Sequence, residues 1–233
     1  LPKLFNSIVL VKGSGWRVVA RKQLLPTYDV FDEKRYFRPG ENLGTLNLKV
    51  DQKTWHLGVT ICEDLWVEEE LQGHRLAGPD PLAKLSSGKV DLLINLSASP
   101  FSHKKGFLRQ KLAAKAVRRL QCPVIYLNQI GGNDELIFDG ASFALDKKAE
   151  LTLTLPSCRQ AFAIWEQVEK EKPKVFSSSI EQKELFEALV LGVSDYAKKC
   201  GFNSALIGLS GGIDSALVTI IATAALGASN VTA

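Results

Sequence analysis

The chain has 233 residues, of which 45% are apolar, 23% charged and 8% aromatic. At about 150 residues per domain, this length allows one large domain or one domain with part of a second, and the composition excludes disorder for most of the chain. The net charge of +4, from 29 Lys and Arg against 25 Asp and Glu, does not by itself indicate nucleic-acid binding. Because the chain contains no methionine and begins at Leu1, we expect it to be processed or truncated.

The cysteines and the apolar runs indicate a cytoplasmic protein. The four cysteines are widely spaced and form no CxxC pair, which favours a reducing compartment over a disulfide framework. The longest apolar tract, residues 216–226, is much shorter than the roughly 20 residues that a membrane span needs. The three histidines lack metal-ligand spacing. We therefore predict no membrane contact and no zinc.

Apolar runs of strand length recur along the first part of the chain, rich in Val, Ile and Leu. They cover residues 16–20, 57–61, 90–96 and 124–127. Since these runs are apolar on both faces, they predict the strands of a covered sheet. Between the last two runs, apolar residues recur every four positions and predict an amphipathic helix that ends before Pro123. These positions are Leu108, Leu112, Ala116 and Leu120. The alternation predicts an α/β fold.

Residues 167–179, with the sequence QVEKEKPKVFSSS, are charged and then serine-rich, and predict a linker between two domains. The first domain would comprise residues 1–166 and the second would begin at residue 180. In the second, a helical stripe at Leu185, Leu189, Val193 and Tyr196/Ala197 ends at Gly201. After this helix the sequence predicts a strand over 205–209, a glycine-rich turn and a helix over 213–226. About fifty residues with one strand cannot close an α/β domain, so we expect the second domain to be incomplete.

Cys62 stands at the end of a predicted strand, where ligands and catalytic groups of α/β proteins collect. Glu63, Asp64 and Trp66 follow it closely. A thiol becomes a nucleophile when a neighbouring cation or base stabilises its thiolate, so Cys62 is a candidate nucleophile. The alternative is a buried cysteine that packs as a small apolar side chain. Likewise, Trp66 either lines a pocket or packs in the core.

Lys22 follows another predicted strand and, taken alone, would be interpreted as a solvated surface lysine. However, KQLLPTYDVFDEKRYF, followed by the cysteine segment GVTICEDLW, resembles the nitrilase-type glutaminase domain of glutamine-dependent NAD synthetases. That superfamily uses a Glu, Lys, Cys triad. The resemblance implies that Cys62 attacks the glutamine carboxamide and that Lys22 supports the oxyanion. The general-base Glu should precede Lys22, but no Glu precedes Glu33 in this chain.

The resemblance extends to further positions. It implies glutamine-binding or supporting roles for Tyr28, Glu33, Ser99 and Lys105. Ordinary loop structure is the alternative for Tyr28 and Glu33. The segments NLSASPF (95–101) and QIGGNDELIFDGASF (129–143) also look like family segments. The remaining cysteines have no charged strand-end context and are interpreted as structural. They are Cys122, Cys158 and Cys200.

The segment GLSGGIDSA, residues 208–216, lies between a predicted strand and a predicted helix. Backbone N–H groups in such a loop, together with the helix N-terminus, can hold a phosphate. The predicted ATP-binding residues are Gly208, Leu209, Ser210, Gly211, Gly212, Ile213, Asp214 and Ser215. Asp214 is also a candidate ligand of Mg²⁺. The Walker A lysine is absent, and the loop instead resembles the PP-loop of ATP pyrophosphatases. A tight turn capped by Ser and Asp is the structural alternative.

A glutaminase segment placed before SGGIDS resembles glutamine-dependent NAD synthetases in particular. The resemblance implies a nitrilase-like α-β-β-α sandwich followed by the start of a Rossmann-like PP-loop domain. It implies an enzyme that hydrolyses glutamine and uses the ammonia, with ATP and Mg²⁺, to convert deamido-NAD to NAD through an adenylate. It also implies a homo-oligomer with an ammonia tunnel.

Two other functions remain open at this stage. One is a stand-alone carbon–nitrogen hydrolase such as an amidase or nitrilase, and the other is a degenerate scaffold without catalysis. The SGGIDS loop argues against the first, and the presence of Cys62, Lys22 and Asp214 argues against the second. Without the general-base Glu, we expect the chain by itself to be inactive.

Overall fold

The computed structural model describes residues 4–28, 30–42, 44–68, 70, 78–167 and 181–233. Its main element is a six-stranded sheet with the strand order β10-β9-β6-β5-β4-β3. These strands are β3 (Thr45–Val50), β4 (Lys53–Ile61), β5 (Leu92–Ser97), β6 (Val124–Asn128), β9 (Phe143–Leu145) and β10 (Leu151–Thr154). Two antiparallel hairpins accompany the sheet. They are β1 (Ser7–Lys12) with β2 (Gly15–Arg21), and β7 (Ile130–Asn133) with β8 (Leu136–Asp139).

The three central strands of the sheet run parallel. Strand β5 pairs in parallel with β4 on one side and with β6 on the other, while β3, β9 and β10 add antiparallel edges. The carboxyl ends of β4, β5 and β6 therefore meet at one edge of the sheet, where ligand sites of α/β proteins form.

A long helix packs against this sheet. The short helices α1 (Glu33–Tyr36) and α2 (Pro81–Ser86) precede the long helix α3 (Lys105–Leu120). Helix α3 buries an apolar face whose members lie three or four residues apart, as the sequence predicts. They are Leu112, Ala113, Ala116, Val117 and Leu120. These side chains pack in one core cluster with Leu93 of β5 and Val124 and Tyr126 of β6.

The carboxyl-terminal part of the chain is a strand–loop–helix–strand unit preceded by a helix. Helix α4 (Glu181–Cys200) leads to β11 (Ala205–Leu206), helix α5 (Ile213–Leu226) and β12 (Val231–Thr232). Strands β11 and β12 pair in parallel, so α5 is the crossover connection of a βαβ unit. Strand β11 is shorter than the predicted 205–209 because it pairs with a β12 of two residues, and Leu209 is 54% exposed.

Helix α4 packs against the β7–β8 hairpin. The Asp195 carboxylate accepts a hydrogen bond from the Gly132 N–H at 2.8 Å, and Lys199 Nζ donates to the Gly132 carbonyl. The helix and the hairpin come close together because residue 192 is a glycine. A Cβ at Gly192 would lie only 2.9 Å from the Ile137 Cδ1. The helix that opens the predicted second domain thus contacts a hairpin that belongs to the predicted first domain.

The predicted elements agree with the structure in type, apart from their bounds. The strand predicted over 90–96 begins two residues later, at Leu92. Asp91 before it donates its N–H to the His56 carbonyl at 2.7 Å and accepts the His56 N–H on its carboxylate at 2.8 Å. The predicted linker 167–179 lies, except for Gln167, outside the described residues. Among the described helices, none has the length and apolar character needed to cross a membrane.

Candidate active site

Cys62 lies at the carboxyl end of β4, where the strand turns into a 3₁₀ helix over Cys62–Leu65. Its φ of +48° is in the left-handed region, which non-glycine residues seldom adopt and which commonly marks functional turns. The adjoining Asn95 of β5 supports this turn, because its side-chain amide donates to Thr60 Oγ1 at 3.0 Å and to the Cys62 carbonyl at 3.4 Å. The strained turn therefore holds the thiol at the shared edge of the parallel strands.

Lys22 directly follows β2 and is buried beside Cys62. Its side chain is 2% exposed, and its Nζ lies 2.7 Å from Glu33 Oε1 and 2.7 Å from Glu63 Oε2. Burial alone would lower the pKa of Lys22, but the Cys62 sulfur and the Glu63 and Glu33 carboxylates raise it further than burial lowers it. Lys22 is therefore a fixed cation at neutral pH, and the interpretation as a solvated surface lysine is wrong.

Glu63 belongs to this cluster, although the sequence predicted no role for it. It is 6% exposed and accepts hydrogen bonds from Lys22 and, at 3.3 Å, from the Tyr28 hydroxyl. Burial tends to raise its pKa, but Lys22 and a hydrogen bond from the Cys62 thiol lower it overall. Its position directly after Cys62 in an apolar strand end was the available signal, since charged residues are rarely buried without a partner.

The thiol of Cys62 is protonated in the resting protein. Burial and the Glu63 carboxylate raise its pKa, and these effects exceed the lowering by Lys22 and by the backbone N–H of Ala98. A neutral buried thiol needs a base to accept its proton before it can attack a carbonyl. The surrounding donors, Lys22 and the Ala98 N–H, are suited to stabilising negative charge that develops near the sulfur.

Asp64 connects the cysteine turn to the lysine segment. Its Oδ1 accepts the N–H groups of Gln23 at 2.9 Å and of Leu24 at 2.8 Å, and its Oδ2 accepts that of Ile61 at 3.3 Å. Burial nevertheless raises its pKa to about 6. Since Gln23 adjoins Lys22, these bonds fix the lysine relative to the thiol.

The other predicted glutamine-site residues surround this cluster with different contacts. Glu33 begins α1 and reaches Lys22, and burial raises its pKa. Burial and the Glu63 carboxylate raise the pKa of Tyr28. Lys105 begins α3 with its Nζ 5.6 Å from the centre of the Trp66 ring, and burial and Arg109 lower its pKa. Trp66 itself is 7% exposed and belongs to the main core cluster.

Ser99 follows β5 and is 2% exposed. Its N–H donates to the Asn128 Oδ1 at 2.9 Å, and its hydroxyl oxygen accepts from Arg109 Nε at 3.1 Å. Arg109 in turn forms an ion pair with Asp139. The sequence predicted neither Arg109 nor Asp139 as part of this region. A basic residue on the buried face of an amphipathic helix was the signal, and Arg109 lies three residues before Leu112 on that face.

The predicted nucleotide loop lies between β11 and α5 and is mostly exposed. The Ser210 N–H donates to Ser215 Oγ at 3.2 Å, and the two hydroxyl oxygens are 3.0 Å apart. Gly211 has a φ of +84°, in the left-handed region. A Cβ at this position would have no neighbouring atom within 4 Å. The loop thus has open space above Gly208 and Gly211, next to the N-terminus of α5, as phosphate binding requires. Asp214 lies in the first turn of α5.

The other cysteines differ in accessibility. Cys122 and Cys158 are buried, whereas Cys200 at the end of α4 is exposed. Within the described residues, no group of three or more His, Cys, Asp and Glu side chains is arranged to hold a metal ion.

Alkylation with iodoacetamide under native conditions should modify Cys200 first. We expect at least about tenfold slower modification of Cys62, because it is buried and its pKa is raised, and thiolates react far faster than thiols. Peptide mass spectrometry over a time course measures the order, and labelling in denaturant provides the control in which the four rates converge. Modification of Cys62 before Cys200 would contradict the burial and protonation described above.

Fold and site together define an α/β protein with a buried cysteine–lysine–glutamate cluster at the edge of a parallel sheet and a glycine-rich strand–helix loop. A family model described as NAD synthase matches residues 185–233. Over 98% of its length the chain is 44% identical to the glutamine-dependent NAD(+) synthetase of Synechocystis, of which it covers 41%. It is 36% identical to that of Thermotoga maritima over 97% of its length, covering 43% of the relative.

A solved structure shows the same similarity. The glutamine-dependent NAD+ synthetase of Acinetobacter baumannii, in complex with ADP, superposes with a TM-score of 0.78 at 32% identity, over 97% of this chain and 41% of that chain. The chain is therefore homologous to glutamine-dependent NAD(+) synthetases, which confirms the resemblance and the predicted fold class. It spans about two fifths of the length of these relatives.

Proposed function

We propose that this chain carries the glutaminase site and the start of the ATP site of a glutamine-dependent NAD(+) synthetase. The observation that carries the proposal is the buried contact of Lys22 with Glu63 and Glu33 beside the Cys62 turn. A cation held in this way is available to stabilise an oxyanion. Under the same proposal, residues 1–166 form the glutaminase unit, 167–179 a linker and 180–233 the beginning of the ATP unit.

In the first half-reaction, the Cys62 sulfur attacks the carboxamide carbon of glutamine. The general-base Glu of the family's Glu, Lys, Cys triad accepts the thiol proton and passes it to the departing amide nitrogen, so that the C–N bond breaks, ammonia leaves and a thioester remains. Lys22 and the backbone N–H after the cysteine stabilise the negative charge on the tetrahedral intermediate. Water then hydrolyses the thioester to glutamate. Tyr28, Glu33, Ser99 and Lys105 would orient the substrate around the sulfur.

In the second half-reaction, residues 208–215 hold the phosphates of ATP. Gly211 and Gly212 let the backbone approach the anion, and the Ser210 hydroxyl of the loop lies 3.0 Å from the Ser215 hydroxyl in the first turn of α5. Asp214 would be a protein ligand of Mg²⁺, which usually binds through one or two carboxylates together with substrate phosphates. The metal would neutralise phosphate charge. The carboxylate of deamido-NAD attacks ATP with loss of pyrophosphate to form the adenylate, and ammonia then displaces AMP.

The remaining features follow from the same proposal. The substrates are small molecules, with no role for zinc, nucleic acid or a membrane. The enzyme is cytoplasmic and forms a homo-oligomer in which ammonia passes between the two sites through a tunnel.

The test uses the full-length protein that contains this chain, incubated with ATP, Mg²⁺, deamido-NAD and glutamine labelled with ¹⁵N in the side-chain amide. We expect NAD whose carboxamide carries the label, together with AMP and glutamate. Ammonium chloride in place of glutamine should also give NAD, because it bypasses the cysteine site. Glutamate release without AMP would instead identify a stand-alone carbon–nitrogen hydrolase, and release of neither would identify a scaffold.

Substituting Asp214→Asn in the full-length protein should reduce NAD formation by about 10²-fold or more, because a metal ligand that neutralises phosphate charge is lost. Glutamine hydrolysis by the same variant should continue. The matched control is Glu135→Gln, which removes an exposed carboxylate in the β7–β8 turn. The two rates are measured as NAD and glutamate formed. Full ATP-dependent activity in the Asp214 variant would contradict its role as a magnesium ligand.

A further inference from the structure

Arg109 of α3 has its guanidinium buried at the same edge of the sheet as the candidate active site. The residue is 1% exposed. Its Nη1 donates to both Asp139 oxygens at 2.9 Å, its Nε donates to Ser99 Oγ at 3.1 Å, and its Nη2 donates to the carbonyls of Ser99 at 2.8 Å and Pro100 at 3.0 Å. All three nitrogens of the guanidinium therefore donate to acceptors in the protein.

Three of these bonds hold the segment that contains Ser99. On its other side, Asn128 accepts the Ser99 N–H at 2.9 Å and donates to the Ser99 carbonyl at 3.1 Å. The backbone of Ser99 is therefore fixed by side chains from α3 and β6. Since the Ser99 oxygen accepts a hydrogen bond from a charged donor, its own O–H proton is directed to another acceptor.

The direction of that proton is constrained by the neighbours of Ser99. The preceding Ala98 contributes its N–H to the Cys62 sulfur, so this segment borders the thiol. Lys105, one helical turn before Arg109 on α3, lies over the Trp66 ring beyond the cysteine turn. Ser99 is thus adjacent in sequence to the residue whose N–H faces the candidate nucleophile, and Arg109 fixes its hydroxyl there.

We propose that Arg109, held by Asp139, is a positioning residue that makes the Ser99 hydroxyl a hydrogen-bond donor to the glutamine substrate. This inference rests on the proposed glutaminase function. Arginine suits the role because its planar fork contacts the carboxylate with one nitrogen and the serine with the other two, whereas an ammonium lacks that geometry. A purely structural ion pair that joins α3 to β8 would have no such dependence on Ser99.

The experiment measures glutamine hydrolysis and ammonia-dependent NAD formation by the full-length protein with Arg109→Lys, Ser99→Ala or both. Arg118→Lys, on the exposed face of the same helix, is the matched control. We expect Arg109→Lys to raise the KM for glutamine by about tenfold with a smaller change in kcat. The reason is that the Ser99 hydroxyl, no longer held by the guanidinium, would lose its hydrogen bond to the bound glutamine. Ammonia-dependent synthesis should stay unchanged.

The double variant separates positioning from a structural role. If Arg109 acts through Ser99, the double variant should be no worse than Ser99→Ala alone, because the two residues share one interaction. Two outcomes would overturn the proposal. One is a double variant in which the KM effects of the two single substitutions multiply, and the other is an Arg109→Lys variant whose KM for glutamine lies within about twofold of that of the unsubstituted protein. Should Arg109→Lys fail to fold by circular dichroism, Arg109→Gln combined with Asp139→Asn removes both buried charges, and the same criteria apply.

Glutamine hydrolysis by the unsubstituted protein distinguishes failure of the proposed glutaminase function from failure of the positioning role of Arg109. If it releases no glutamate from glutamine, the proposed function fails and this inference fails with it. If it hydrolyses glutamine normally while the Arg109 variants behave like the control, only the positioning role is wrong.

Discussion

Substituting Cys62→Ala in the full-length protein should lower glutamine-dependent NAD formation by at least about 10³-fold, because no other group can form the thioester. The side chain is 6% exposed and loses only its sulfur, so the fold should tolerate the change. Synthesis from ammonium chloride should remain near the unsubstituted rate, since the ATP site is untouched. The measurement is NAD formed with each nitrogen source.

Cys122→Ala is the matched control, because it removes another buried sulfur, one that packs in the main core. It should change both rates little. Equal loss of the glutamine- and ammonia-dependent activities in the Cys62 variant would show that the residue supports the fold rather than the chemistry. Unchanged glutamine-dependent activity would remove Cys62 from the mechanism.

Substituting Lys22→Met should impair both activity and stability. Loss of an oxyanion-stabilising donor typically reduces turnover by about 10²–10³-fold. Because Glu33 and Glu63 would lose a cation at 2.7 Å from each, we also expect a loss of about 3–5 kcal/mol in the free energy of unfolding. Glutamate release and denaturant unfolding measure the two effects. Lys89→Met, at an exposed position, is the control and should change neither.

The pKa of Lys22 determines how its contribution to the free energy of unfolding depends on pH. That pKa is raised in the folded protein above the value of about 10.4 for an unfolded chain. A folded-state pKa above the unfolded one gives a stabilisation that is fully present below the unfolded pKa and is lost as pH rises through the folded one. The stability difference between the Lys22→Met variant and the unsubstituted protein should therefore stay constant from pH 7 to 9. A difference that shrinks within that interval would contradict the upward shift.

Much of the fold could be predicted because local patterns agree with the tertiary structure. The four-residue spacing of Leu108, Leu112, Ala116 and Leu120 predicts α3, and the structure buries Leu112, Ala116 and Leu120. The apolar run over 57–61 predicts the buried end of β4. The length of β11 could not be predicted, because strand ends depend on a partner that is distant in sequence.

The sequence by itself determined the nucleophile candidate, the lysine that accompanies it, the glycine-rich loop and the resemblance that joins them. Each depends on residue types within a short segment or on their order along the chain. Only the tertiary structure showed that Glu63 and Glu33 both contact Lys22, and that Arg109 and Asp139 hold Ser99. These contacts join residues 10 to 41 positions apart. The physical reason is that a buried charge is stable only when it is paired, and its partners lie on segments that only the tertiary fold brings into contact. Local periodicity in the sequence does not specify which segments these are.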